Sequence, residues 1–315
     1  MKREKIIQNR ADLYGQVKNN CKLGRDNGIY FDIKISDELL SNLVKSVINY
    51  IAKALTTVYK DENFIIDDNF LLNYERQILN LPNRTPNGAF HPKKENIFEY
   101  NELQKNIVKT LDQLGILKNC LAVQPCTVRV MCGKVADLDH TRPLATTKLH
   151  SDSWASHIGD AILAVPLLGD PTTTLEFYEP QGVTDDFFSP LLNYDDGLNK
   201  FKDKQFLGYA RMGHVSIFDH ACLHRTSLKD GNIRVSFDFG IIMNNKNSLY
   251  YDASKRKKVN LEDYRYEYFD AEVYSNLGKT LFISVEETME QAANRYSSKK
   301  AGSYERAPIK IVEKL

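Results

Sequence analysis

His150 and Asp152 stand two residues apart in the run Thr146-Thr147-Lys148-Leu149-His150-Ser151-Asp152-Ser153-Trp154. Read as a strand, this run alternates its side chains between two faces, so the imidazole and the carboxylate point the same way and can grip one metal ion. A third donor lies far downstream in Phe218-Asp219-His220-Ala221-Cys222-Leu223-His224. Two imidazoles and one carboxylate on one face suit ferrous iron and leave three octahedral positions open for other ligands.

Arg234 follows His224 by ten residues, in Asn232-Ile233-Arg234-Val235-Ser236-Phe237-Asp238, and shares a strand face with Ser236. Taken alone, H-x-D is a chance pattern and Arg234 an ordinary salt-bridge residue; the ordered set is harder to obtain by chance. With H-x-D, a distal histidine and R-x-S in that order, the chain resembles the Fe(II)/2-oxoglutarate-dependent dioxygenase superfamily over residues 120 to 243. The resemblance implies a double-stranded β-helix core, with His150, Asp152 and His224 holding Fe(II) and Arg234 with Ser236 binding the far carboxylate of 2-oxoglutarate. O2 would be the oxidant. The physical requirement agrees with this assignment, because a buried carboxylate needs a fixed cation and hydrogen-bond donors. Arginine's fork supplies both, and a serine hydroxyl adds a donor. Arginine ten past the distal histidine resembles the branch acting on small metabolites, whereas a lysine commonly serves in the prolyl-hydroxylase branch. Nucleic-acid demethylases of the superfamily usually carry a second arginine six residues further, where this chain has Gly240.

His220 competes with His224 for the distal position, and the ten-residue interval to Arg234 favours His224. His140 and His157 are out of phase with the motif, and in Asp139-His140 adjacent strand residues face opposite sides, which argues against a ligand pair. Thr146, Lys148 and Trp154 share the inward phase of His150 and Asp152. Lys148 and Trp154, with Arg129 as an isolated charge in a strand-like run, are candidates for substrate contact. Barrel packing is an equal reading for Trp154, and the tyrosines after residue 250 read as packing and surface.

The surrounding pattern supplies elements to position these groups. After a polar stretch broken by Gly24 and Gly28, Ser36 reads as an N-cap, followed by apolar residues from Leu40 to Val58 at helical spacing. A loop rich in Pro, Asn and Gly covers Leu81 to Gly88, and a second helix is expected from Glu99 to Leu114, stopped by Gly115. From Cys120 onward short strands alternate with turns, which points to a sandwich or barrel of jelly-roll type. Asp185 to Asp203 is too long for a simple turn and reads as an insertion over the barrel mouth. A short helix is expected at Val285 to Arg295 and an extended tail at Ser297 to Leu315. The expectation is one α+β domain: residues 1–119 as helical support, 120–243 as a jelly-roll, cupin-like core, and 244–315 as an extension.

The 41 acidic and 42 basic residues nearly cancel, so no strong field draws the chain to nucleic acid or an anionic membrane, and a small-molecule partner is expected. Cys21, Cys120, Cys126, Cys132 and Cys222 are odd in number and lack a CxxC spacing, as reduced cytoplasmic thiols do. No apolar run reaches membrane-spanning length. Hydroxylation of an amino acid, sugar derivative or biosynthetic intermediate is the expected reaction. A 2-oxoglutarate-independent cupin-type metalloenzyme and a non-catalytic barrel binding protein are the alternatives.

Overall fold

Two hydrophobic surfaces organise the chain, and the central strands carry one on each face. The computed structural model describes residues 3–19, 23–133, 141–155, 159–227 and 231–243, and strands at 256–260, 264–268, 271–273, 280–284 and 310–313. Its helices are α1 (Arg3–Lys18), α2 (Asp37–Val58), α3 (Phe70–Asn73), α4 (Glu75–Leu79), α5 (Ile97–Gln113) and α6 (Tyr194–Lys200). The strands before residue 244 are β1 (Leu23–Asp26), β2 (Tyr30–Lys34), β3 (Ala89–Phe90), β4 (Cys120–Val123), β5 (Thr127–Cys132), β6 (Ala161–Gly169), β7 (Leu175–Pro180), β8 (Lys204–Tyr209), β9 (His214–Phe218), β10 (Leu223–Thr226) and β11 (Ile233–Met243). Beyond them come β12 (Arg256–Asn260), β13 (Tyr264–Tyr268), β14 (Ala271–Val273), β15 (Thr280–Ser284) and β16 (Lys310–Glu313), with β12 paired to β15 and β13 lying between β14 and β16.

The major sheet runs β1-β2-β9-β6-β11-β5-β3, with β4 also on β11, and the minor sheet runs β10-β7-β8, with His150 bridged to His224 at its β10 side. From β5 to β11 the chain visits the major sheet at β5, β6, β9 and β11. It visits the minor sheet at His150, β7, β8 and β10. All the strand pairings are antiparallel. The resulting orders, β9-β6-β11-β5 over β8-β7-β10-His150, are those of a double-stranded β-helix, a jelly roll.

Alternation along β11 separates its two faces. Ile233, Val235, Phe237, Phe239 and Ile241 join the core formed with α2 and α5, where Leu43, Val47, Leu103, Ile107 and Leu111 repeat at helical spacing. Each such side chain, fully buried, contributes roughly 1.5 to 3 kcal/mol. Arg234, Ser236 and Asp238 face the other way, into the roll. The near-continuous apolar run of β6 follows from burial on both faces: Leu163 and Val165 lie against the helices, Ile162 and Ala164 against the inner cluster of Tyr30, Phe177 and Phe218.

Several expectations need correction. The run Thr146–Trp154 is not a continuous strand: only His150 makes a bridge, and Asp152–Ala155 is a 3-10 helix. The polar N-terminus forms α1, whose Ile6, Leu13 and Val17 are buried and whose Asn9 reaches Asp160 at 3.1 Å. The insertion after β7 ends in α6 and is followed by β8, an exposed edge strand that the residue pattern hides. Ser36 stands at the start of α2 without a side-chain capping bond. Cys120, Cys126, Cys132 and Cys222 are buried. Cys21, His140, His157 and the helix expected at Val285 to Arg295 lie outside the described residues. No described helix is long and apolar enough to cross a membrane.

Candidate metal centre

His150 and His224 are held opposite each other by their own backbones. The His150 N–H donates to the His224 carbonyl at 3.0 Å and the His224 N–H returns the bond at 2.9 Å, the closely paired arrangement of an antiparallel ladder. Their rings lie 4.4 Å apart. Asp152 opens the 3-10 turn that follows, and its Oδ2 lies 3.7 Å from His224 Nε2. One donor atom from each of His150, Asp152 and His224 falls within 4.8 Å of the others, and all three residues are buried. The structure thus brings together the three predicted ligands, although strand phase accounts only for His150.

The His150 Nδ1–H donates to the Lys148 carbonyl at 2.8 Å, which leaves Nε2 as the lone-pair nitrogen, the usual arrangement for a ligating histidine. One nitrogen from each histidine and a carboxylate oxygen fit a divalent transition ion with open positions. His220 does not join them. Its Nε2 donates to the Gly159 carbonyl at 2.6 Å, and its own carbonyl accepts from Ser151 Oγ at 2.6 Å. Its place in the fold is to tie β10's approach to the H-x-D turn.

Arg234 is 1% exposed, and its Nε and Nη1 have no hydrogen-bond partner. Ser236, 4% exposed, shares its face two residues on. Burial pushes the Arg234 guanidinium down to about 10, the Arg129 charge adds to the fall, and Asp238 opposes it. A buried cation with unsatisfied donors is costly unless an anion completes it.

Arg129 sits directly across β5–β11 from Ser236, on the interior face. Its Nε donates to Asp238 Oδ2 at 2.5 Å and its Nη1 to the Asn87 carbonyl at 3.2 Å. Burial lowers the Arg129 pKa, but the charge and hydrogen bonds of Asp238 outweigh it and the net direction is upward. Arg129 therefore enters the pocket as one half of a compensated pair. Asn87 also accepts, through Oδ1, from Arg142 Nη2 at 2.6 Å and from the Thr146 N–H at 3.3 Å, so the loop before β3 fastens the chain leading to His150.

Lys148 and Trp154 are not presented to the pocket as strand phase predicts. The Lys148 ammonium turns to Asp195 Oδ2 at 2.5 Å. Trp154, past the start of the 3-10 turn, is 1% exposed among Phe187, Tyr194 and Phe201, and its Nε1–H donates to the Phe187 carbonyl at 2.8 Å. Packing is its role. The sequence reading missed Tyr194, stacked on His150, and Asp238, the partner of Arg129. Asp238 was findable as an acid on the Arg234 face. Tyr194 was not, because its stack joins segments with no shared local pattern.

No protein-family profile matches the chain, and no curated protein sequence does. Among solved structures it is similar to the non-heme alpha ketoglutarate dependent carbocyclase SnoK from nogalamycin biosynthesis, at 10% identity over 76% of this chain and 83% of that one, with a TM-score of 0.38. It is also similar to EctD from S. alaskensis with 2-oxoglutarate and 5-hydroxyectoine, at 10% identity over 68% and 72%, TM-score 0.35. A prolyl hydroxylase from Trichoplax adhaerens, in complex with a hypoxia inducible factor peptide fragment, matches at 10% identity over 78% and 96%, TM-score 0.37. Likenesses this low decide neither the fold nor the activity of this chain, both of which rest on its own strand order and site.

Proposed function

We propose that this chain is a non-haem Fe(II)- and 2-oxoglutarate-dependent oxygenase that hydroxylates a polar small molecule. The observation that carries the reading is Arg234: a fully buried guanidinium with unsatisfied donors, on the interior face beside Ser236, in the roll that also holds His150, Asp152 and His224. A 2-oxoglutarate-independent metalloenzyme would leave that cation without a task. His150, Asp152 and His224 hold the ion. Arg234 and Ser236 take the distal carboxylate of the diacid, so that its 2-oxo acid end is directed at the open positions.

Iron, when bound, supplies the oxidising chemistry by which 2-oxoglutarate and O2 yield succinate and CO2 and one oxygen atom enters a C–H bond of the substrate. The protein's own part is geometric and electrostatic. The Arg129–Asp238 pair and the Lys148–Asp195 pair flank the triad without adding net charge, which suits a neutral or zwitterionic substrate such as an amino acid, a sugar derivative or a biosynthetic intermediate. Tyr194, Trp154 and Phe187 close the α6 side against water.

The test is succinate formation from 2-oxoglutarate under air with Fe(II) and ascorbate, comparing wild type with His150→Ala. Turnover confined to the wild type supports the reading. A folded wild-type protein that binds neither Fe(II) nor 2-oxoglutarate refutes it.

A further inference from the structure

The connection from β7 to β8 is far longer than the pairing of those strands requires. They are antiparallel neighbours with Pro180 opposite Lys204, and the Gln181 N–H donates to the Asp203 carbonyl at 2.8 Å across the base; a turn of about two to five residues closes such a hairpin. The additional chain forms a strap that ends in α6, and the strap grips the H-x-D segment from both flanks. Upstream, Lys148, two residues before His150, pairs with Asp195. Downstream, Trp154, two residues after Asp152, donates to the Phe187 carbonyl at 2.8 Å and accepts from the Leu191 N–H at 2.9 Å. Gly197 allows the close approach, since a Cβ there would lie 2.6 Å from the Trp154 ring.

Between the two grips the strap lays Tyr194 on His150. The rings are 4.4 Å apart and 12° from parallel, while the Tyr194 N–H is fixed to the Pro143 carbonyl at 3.0 Å. The His224 ring lies 4.4 Å from the same imidazole at a 50° tilt, and the Lys148 carbonyl holds Nδ1 at the edge. One edge of the His150 ring is thus held by a hydrogen bond and one face by a stacked ring, which together fix its orientation. We infer that Tyr194 is a positioning residue for the metal centre, acting by the face of its ring rather than by its hydroxyl. The inference rests on the reading of the triad as a metal site.

Co(II) titration of the metal-free full-length chain tests it, read by the visible ligand-field absorption of the ion and by quenching of Trp154, the sole tryptophan. The wild type binds Co(II), and His150→Ala abolishes binding. Tyr194→Phe keeps the ring and retains wild-type affinity and spectrum. Tyr194→Leu removes the ring and weakens binding roughly tenfold, the low end of what loss of a ligand-orienting partner costs, with a changed absorption band and an unchanged circular dichroism spectrum. If Tyr194→Leu fails to fold, Tyr194→Met, which fills the same space without a planar face, is read in its place. Wild-type affinity and spectrum in the Leu or Met variant, with the His150→Ala control intact, overturn the role of Tyr194 alone. A folded wild-type chain that does not bind Co(II), or binds it equally after His150→Ala, overturns the triad and this inference together.

Discussion

Replacing Arg234 with methionine should have opposite effects on the empty and the loaded protein. In the empty protein the guanidinium is buried with two unpaired donors and its pKa is driven down to about 10. That fall of between two and three decades, at about 1.4 kcal/mol per decade, puts the cost of keeping the charge at about 3 kcal/mol. Because the folded value lies below the unfolded one, folding sheds the proton only at alkaline pH. The full penalty is therefore in force at neutral pH and is relieved only as pH rises through about 10. Methionine fills most of the same space without the charge, so Arg234→Met should melt higher than wild type when no diacid is present, by on the order of 5 °C for a chain of this size. With Mn(II) in place of iron, to prevent turnover, 2-oxoglutarate at a hundredfold excess over its Kd should add about 2.7 kcal/mol to the wild type. It should add nothing to the variant. Thermal melts of both proteins, with and without ligand, read the crossover. A variant that melts lower than wild type when empty and still gains stability from 2-oxoglutarate would show that Arg234 serves packing rather than a carboxylate.

The two histidines of β10 and its approach should separate cleanly. His224→Ala should abolish Mn(II) binding measured by electron paramagnetic resonance, while His220→Gln should keep it and lose about 1 kcal/mol of stability through the weakened bond to Gly159. Equal losses of binding would mean that His220 reaches the ion. At Gly88, φ is +72°, and a Cβ would run into Met131 Sδ and lie 2.7 Å from the Val130 carbonyl. Gly88→Ala should therefore cost roughly 1 to 3 kcal/mol in denaturant unfolding, and an unchanged midpoint would refute the assignment of strain there.

The residues of the centre were easier to read than the reason they meet. H-x-D was interpreted through strand alternation, yet Asp152 reaches the two histidines from a 3-10 turn and the chain is sheet-paired only at His150. The side chains that the pattern picked out still meet, because a turn directly after a bridge also brings residue i+2 back toward residue i. The same assumption failed for Trp154, which the turn carries into the strap's aromatic cluster. Strands buried on one or both faces, such as β6 and β11, announce themselves by composition. By contrast β8, largely exposed at a sheet edge, and α1, whose buried Asn9 donates through Nδ2 to Asp160 across the fold, depend on tertiary partners that no local pattern encodes. The arginine interval favoured His224 over His220, and it is the His224 side chain that the fold gathers with His150 and Asp152, from the strand that precedes the one carrying Arg234.

The reciprocal backbone bonds between residues 150 and 224 have a consequence for how an ion bound by this proposed centre would be exchanged. Metal sites assembled from flexible loops spend binding energy on ordering the chain and collapse when stripped. Here the spacing of two imidazoles is set by sheet pairing, so the order is already in place before any ion arrives. Chelation should leave the jelly roll standing and ready to reload, and exchange of one divalent ion for another should proceed without refolding.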